Sequence, residues 1–78
     1  MVSEMGELIV VDGMTMVDDK TMTPIRVGDV REDYRGTKCT ITGGKPATKS
    51  CCGLVYTLEN GVACEHYVGI VDAMWVQL

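Results

Sequence analysis

Two dipeptides, Asp12-Gly13 and Asn60-Gly61, constrain this chain more than any other feature. Each lies between two runs of apolar and β-branched residues. Each also supplies what a two-residue type I′ turn demands, because Asp, Asn and Gly accept positive φ. Both sites therefore read as hairpins. Around Asn60-Gly61 the register places Glu59 opposite Val62, Leu58 opposite Ala63, Thr57 opposite Cys64, Tyr56 opposite Glu65 and Val55 opposite His66. One face then carries Leu54, Tyr56, Leu58, Ala63 and Tyr67 and reads as the core side. The other carries Val55, Thr57, Val62, Cys64 and His66, a mixed face.

The first hairpin has no polar side. In the same register Ile9, Val11, Met14 and Met16 share one face, and Leu8, Val10, Thr15 and Val17 share the other. A two-stranded ribbon that is apolar on both faces is not stable in water. It must be sandwiched inside its own domain or buried against another chain. Leu8, Val10, Met14, Met16 and Val17 are accordingly the candidate surface for a partner or a second copy.

The remainder has the same texture, with frequent Val and Thr and glycines at short intervals. Residues 27–30 read as a turn entering a strand, 34–36 as a turn, and 37–42 as an alternating strand with Cys39 and Ile41 inward. Residues 43–50 read as an exposed polar loop, 69–73 as one helical turn at most, and 74–78 as a final strand. No stretch holds a helical period for three turns. The expected fold is all-β and a single domain over residues 1–78. An acidic N-terminal hairpin occupies 1–23, and a small barrel of five or six short antiparallel strands occupies 24–78, curled so that its edges are satisfied.

From Ile25 onward the chain runs Val27-Gly28-Asp29-Val30, a charged turn, Gly36-Thr37-Lys38-Cys39-Thr40-Ile41, a loop, a strand at 54–58, Asn60-Gly61 and a closing strand. This order resembles the small SH3-like barrels of the Tudor and KOW type. Lys45-Pro46, Lys49, Gly53, Val55-Tyr56, Glu65, Tyr67-Val68 and Trp75 also resemble small accessory proteins encoded by bacteriophages. Together the two resemblances cover about two-thirds of the chain. They imply an SH3-like fold and, through the phage likeness, a protein that binds and modulates a host protein in the host cytoplasm. The aromatics are Tyr34, Tyr56, Tyr67 and Trp75, with no Phe and no evident cage for a methylated side chain.

Size and charge narrow the classes further. A chain of 78 residues buries only about 60% of the surface its unfolded form exposes, which leaves little room for a catalytic pocket beside a core. The net charge of −4 argues against a general nucleic-acid binder. That charge is segregated. Residues 24–49 hold Arg26, Arg31, Arg35, Lys38, Lys45 and Lys49, whereas residues 50–78 hold no base at all. No apolar run approaches the roughly 20 residues that span a bilayer, and no signal-peptide pattern opens the chain, so the expected location is cytoplasmic.

Candidate chemistry is sparse. The cysteines are Cys39, Cys51, Cys52 and Cys64, and the only close pair is adjacent, whereas a zinc site wants Cys-x2–4-Cys pairs. Cys64-x-His66 could set two ligands on one strand face, with Cys39 or Cys52 across from them. The spacing fails the usual pattern, and the expectation is no metal and no cofactor. His66 is the only histidine, and a Cys-His nucleophile pair has no orienting support. Gly43-Gly44-Lys45 fails as a phosphate loop, because position 39 is Cys and position 46 is Pro.

The expectation is thus a non-catalytic protein-interaction module whose partner is another protein or its own copy. The alternative is a nucleic-acid or nucleotide-binding module that uses the basic segment. Its candidate binding residues are Tyr34, Arg35, Lys38, Lys45, Lys49 and Tyr67, with Trp75 as a candidate cleft aromatic.

Overall fold

The computed structural model describes residues 6–50 and 52–78. Glu4 of the acidic arm and Cys51 of the adjacent cysteine pair lie outside the described residues. The strands are β1 (Val10–Val11), β2 (Met14–Asp18), β3 (Val30–Glu32), β4 (Lys38–Lys45), β5 (Leu54–Glu59), β6 (Val62–Tyr67) and β7 (Ala73–Gln77). A single 3-10 turn, Val68–Val71, precedes β7. Asp12, Gly13, Asn60 and Gly61 all adopt positive φ, and the pairs Val11–Met14 and Glu59–Val62 close two-residue turns. No helix among the described residues is long and apolar enough to cross a membrane.

The fold is all-β and antiparallel, but its strands form two sheets rather than one closed barrel. The three-stranded sheet runs β1-β2-β7 and the four-stranded sheet is a meander, β3-β4-β5-β6. Among the described residues no strand ladder joins β3 or β6 to the smaller sheet. Beyond the hairpin strands β1 and β2, residues 24–78 hold five strands, β3 to β7, within the five or six expected.

The N-terminal hairpin is part of the body, not an arm. β2 is the central strand of its sheet and pairs along its whole length with β7, from Met14–Gln77 to Asp18–Ala73. Its apolar character on both faces is therefore answered within the chain. Met16 is 0% exposed and Val17 4%, so neither offers surface to a partner. Met14 is partly buried against the core, and only Leu8 and Val10 of the candidate surface stay exposed.

The core lies between the sheets. Ile9, Met16 and Ile25 meet Ile41, Val55, Val68, Val71, Ala73 and Trp75. Trp75 is 5% exposed, and its indole Nε1 donates to the Leu54 carbonyl at 3.3 Å. It is a core residue and not a cleft aromatic. Its ring fits because Gly44 of β4 and Gly53, just before β5, lack a Cβ. At Gly44 a Cβ would stand 2.6 Å from Leu54 O and 2.8 Å from Trp75 Cζ2. At Gly53, which has φ +107°, a Cβ would collide with the same indole.

This packing overturns two sequence expectations. β4 continues through Gly43 and Gly44 to Lys45, with a register shift between Ile41 and Gly43, so the polar loop is shorter than residues 43–50. The inner face of the β5–β6 hairpin is also the reverse of the expected one. Ile41 pairs with Thr57, and Val55 and Thr57 are buried while Tyr56, Leu58, Ala63 and Tyr67 face out. Both faces of β5 carry apolar side chains. The smaller ones face inward because the inward-pointing Ile41 of β4 sets which side is the interior.

A charged staple joins the sheets at one end. Arg31 of β3 donates from Nη2 to Asp18 Oδ2 at 2.6 Å and from Nε to the Val71 carbonyl at 2.9 Å. The amides of Lys20 and Thr21 also donate to Asp18 Oδ1. These donors, Arg31 first, hold the Asp18 carboxyl well below the usual carboxylate range.

Two predictions follow from the packing and the staple. Gly44→Ala and Gly53→Ala each lower stability by about 1–3 kcal/mol, the scale of overpacking a filled core. Gly69→Ala, where a Cβ meets nothing within 4 Å, serves as the near-neutral control. Urea denaturation measures all three, and equal effects would contradict the packing. The second prediction concerns pH. Because Asp18 is depressed in the folded state, its contribution is full above its unfolded value of about 3.9 and is lost as pH falls through the folded value. The stability gap between wild type and Asp18→Asn is therefore constant at neutral pH and shrinks below about pH 4. A gap independent of pH down to acid unfolding would contradict the staple.

Candidate functional site

β6 is the outer strand of the four-stranded sheet, and its outward backbone edge carries no partner strand among the described residues. A groove of about 490 Å³ adjoins β6, lined by Tyr34, Arg35, Leu54, Glu65, His66, Tyr67 and Ile70. Tyr34 and Tyr67 are 81% and 62% exposed and offer aromatic surface at the groove. Three candidate binding residues, Tyr34, Arg35 and Tyr67, thus come together there. Lys38 and Lys45 are exposed at the two ends of β4, Lys49 is exposed in the following loop, and none of them lines the groove.

The turn before β4 holds Arg35 and Tyr34 in place through Asp33. Its side chain is fully buried and accepts the backbone amides of Arg35 and Thr37 on Oδ1, at 2.8 and 3.0 Å. On Oδ2 it accepts Arg35 Nε and Nη2, at 2.9 and 2.6 Å. The Arg35 guanidinium sits 5.8 Å from the Tyr34 ring centroid, within cation–π range. Arg35 holds the Asp33 carboxyl below the ordinary range and is itself raised by that pairing.

Arg35 also reaches Glu59 Oε1 at 3.3 Å, and Glu59 is the hub of a polar cluster that meets the groove through Arg35 and His66. Its side chain is 12% exposed. Oε2 accepts the Thr57 hydroxyl at 2.8 Å and lies 2.6 Å from His66 Nε2. These contacts, His66 first and Thr57 next, lower the Glu59 carboxyl below its usual range. Cys64 stands in the same group, with its sulfur, the imidazole nitrogen and the Glu59 oxygen all within 4.8 Å of one another. Cys39 lies behind, fully buried. Burial first and the Glu59 charge second push both the Cys39 and the Cys64 thiols up.

That electrostatics does not activate a nucleophile. A reactive cysteine needs a stabilised thiolate, whereas Cys64 has a carboxylate beside it and donates its S–H to the Val62 carbonyl at 3.6 Å. His66 is engaged with Glu59 rather than positioned as a base on sulfur. Of the four residues that the sequence offers as weak ligands, Cys64 and His66 meet around Glu59, and Cys39 lies within ligand distance of Asp33 and Glu59. Cys52 is exposed and belongs to neither group.

Glu59 is the residue that sequence reasoning missed. The Asn60-Gly61 register places it on the face of Thr57, Cys64 and His66, and the alternation alone identifies it as the acid on that mixed face. The basic segment is also less available than its charge suggests, because Arg31 and Arg35 are tied to Asp18, Asp33 and Glu59.

No family model matches the chain, and no curated protein or solved structure matches it significantly.

Proposed function

We propose that this chain is a small non-catalytic interaction module that takes an extended segment of a partner protein along the edge of β6. The observation that carries the proposal is the 490 Å³ groove beside an edge strand, flanked by the exposed rings of Tyr34 and Tyr67. An edge strand presents unpaired N–H and C=O groups that a second extended chain satisfies, and a neighbouring pocket then selects alternate side chains. Tyrosines give such a site large contact area at a small entropic cost. Leu58 and Tyr56 extend the apolar surface across the outer face of the sheet.

The strand order from Ile25 onward supports an SH3-like module whose two sheets are left open. The likeness to small bacteriophage accessory proteins extends the proposal to a host protein as partner, met in the host cytoplasm. A second copy of this chain is the competing occupant. The nucleic-acid reading loses support, because two arginines of the basic segment are tied in ion pairs and the lysines stand outside the groove.

Selection from a displayed peptide library tests the proposal. The expected result is a set of extended peptides with apolar or aromatic residues at alternate positions. Binding shifts the amide resonances of residues 62–67, and Tyr67→Ser or Tyr34→Ser weakens it by about tenfold or more, the scale of an aromatic anchor. Failure to enrich any peptide, or shifts confined to the Lys45 and Lys49 region, would contradict it.

A further inference from the structure

We propose that Glu59, Cys64 and His66 form a binding site for a zinc ion beside the β6 groove, which His66 lines. The inference goes beyond the peptide-binding reading and departs from the sequence expectation of no metal. Three different ligand types converge within 4.8 Å of one another, and they are a thiol, an imidazole nitrogen and a carboxylate oxygen. Zinc takes sulfur at about 2.3 Å and nitrogen or oxygen at about 2.0–2.2 Å. Tetrahedral ligands at those lengths stand about 3.3–3.8 Å apart. The side chains therefore need only small rotations, with Glu59 Oε2 and His66 Nε2 moving apart from 2.6 Å to admit the ion.

The backbone prepares this convergence. Cys64 and His66 are two apart on β6 and so project from the same face, and Glu59 reaches them from β5 across Thr57. The carboxylate is already oriented, because Arg35 holds Oε1 at 3.3 Å and the Thr57 hydroxyl donates to Oε2 at 2.8 Å. Such outer contacts fix a ligating carboxylate and account for much of a site's affinity. The alternative group of Asp33, Cys39 and Glu59 is less suited. The Asp33 carboxylate already accepts four donors from Arg35 and Thr37, and Cys39 is sealed from solvent. Cys64 and His66 are only partly buried, so an ion has a way in and solvent can supply a fourth ligand.

Binding balances in protons as well as charge. The Cys64 thiol releases its proton to solvent and binds as thiolate. The imidazole binds through Nε2, so the proton on that nitrogen, which faces Glu59 Oε2 at 2.6 Å, leaves: a neutral ring carries its one proton on Nδ1 instead, and a charged ring releases the extra proton to solvent. Affinity therefore rises with pH across the range where the thiol must ionise.

Cobalt(II) titration of the full chain, purified reduced and metal-free, tests the site, because a thiolate ligand gives a charge-transfer band in the near ultraviolet. The expected result is that band at one equivalent, its displacement by zinc, and a thermal midpoint that rises with added zinc and falls back with a chelator. Cys64→Ser abolishes the band. Glu59→Gln and His66→Gln weaken binding by about tenfold or more. A Cys51→Ser/Cys52→Ser double variant retains it, and circular dichroism of each metal-free variant establishes that it is folded. Absence of a thiolate band in the wild type would overturn the proposal. So would a band that survives Cys64→Ser in a folded protein, or one lost in the double variant.

Discussion

The indole of Trp75 lying on the bare backbone of Gly44 and Gly53 is the contact on which the rest of this structure depends. It joins β7 of the smaller sheet to β4 and to the entry of β5 in the larger one. Its buried ring fills the space between the sheets where a Cβ on either glycine would collide. With the interior fixed on the side of Ile41, Val55 and Thr57, strand geometry leaves no choice for the neighbours. Tyr56 and Leu58 must face outward. Glu59, Cys64 and His66 fall on the same side as Val55 and Thr57 and stay only partly buried. The placement of the chemistry is thus a consequence of the packing.

Around Glu59 and Asp33 gather polar side chains that a small core cannot absorb. A buried carboxylate is costly unless its lone pairs are satisfied, and Asp33 and Glu59 share one solution. Arg35 bridges them, the backbone amides of the turn and the Thr57 hydroxyl complete them, and His66 closes the chain of contacts on the groove side. Among the described residues no buried side-chain nitrogen or oxygen lacks a partner. The network ties the Tyr34 turn to the edge of β6, so the groove is built on rigid elements. Peptide docking on the outside of that edge and metal binding on the inside would use one scaffold.

Much of the fold was legible in the sequence, for identifiable reasons. Type I′ turns depend only on the conformational tolerance of Asp-Gly and Asn-Gly, so both hairpins and their registers could be read directly from those residues. The inward direction of Cys39 and Ile41 was legible because Thr37 to Thr42 alternates cleanly. What alternation could not resolve was a strand with apolar side chains on both faces. For β5 the larger set, Leu54, Tyr56 and Leu58, looked like the core, whereas the interior had room only for Val55 and Thr57 once Trp75 was in place. The same ambiguity made Met16 and Val17 look like a docking surface, when β2 is simply a central strand. Of the site, Tyr34, Arg35, Tyr67, Cys64 and His66 were singled out by residue type. Alternation puts Glu59 on the face of Cys64 and His66 as its one acid, but its diagonal reach to His66 across two strands is not something spacing displays.

Hydroxyl-radical footprinting read by mass spectrometry tests the central claim, the assignment of inside and outside that everything else rests on. It compares the solvent exposure of the aromatic and sulfur-bearing side chains in one experiment. The account predicts rapid modification of Tyr34 and Tyr67, with Trp75 and Met16 protected until the protein unfolds. Modification of Trp75 at a rate like that of Tyr34, with Tyr67 protected in the folded monomer, would contradict it.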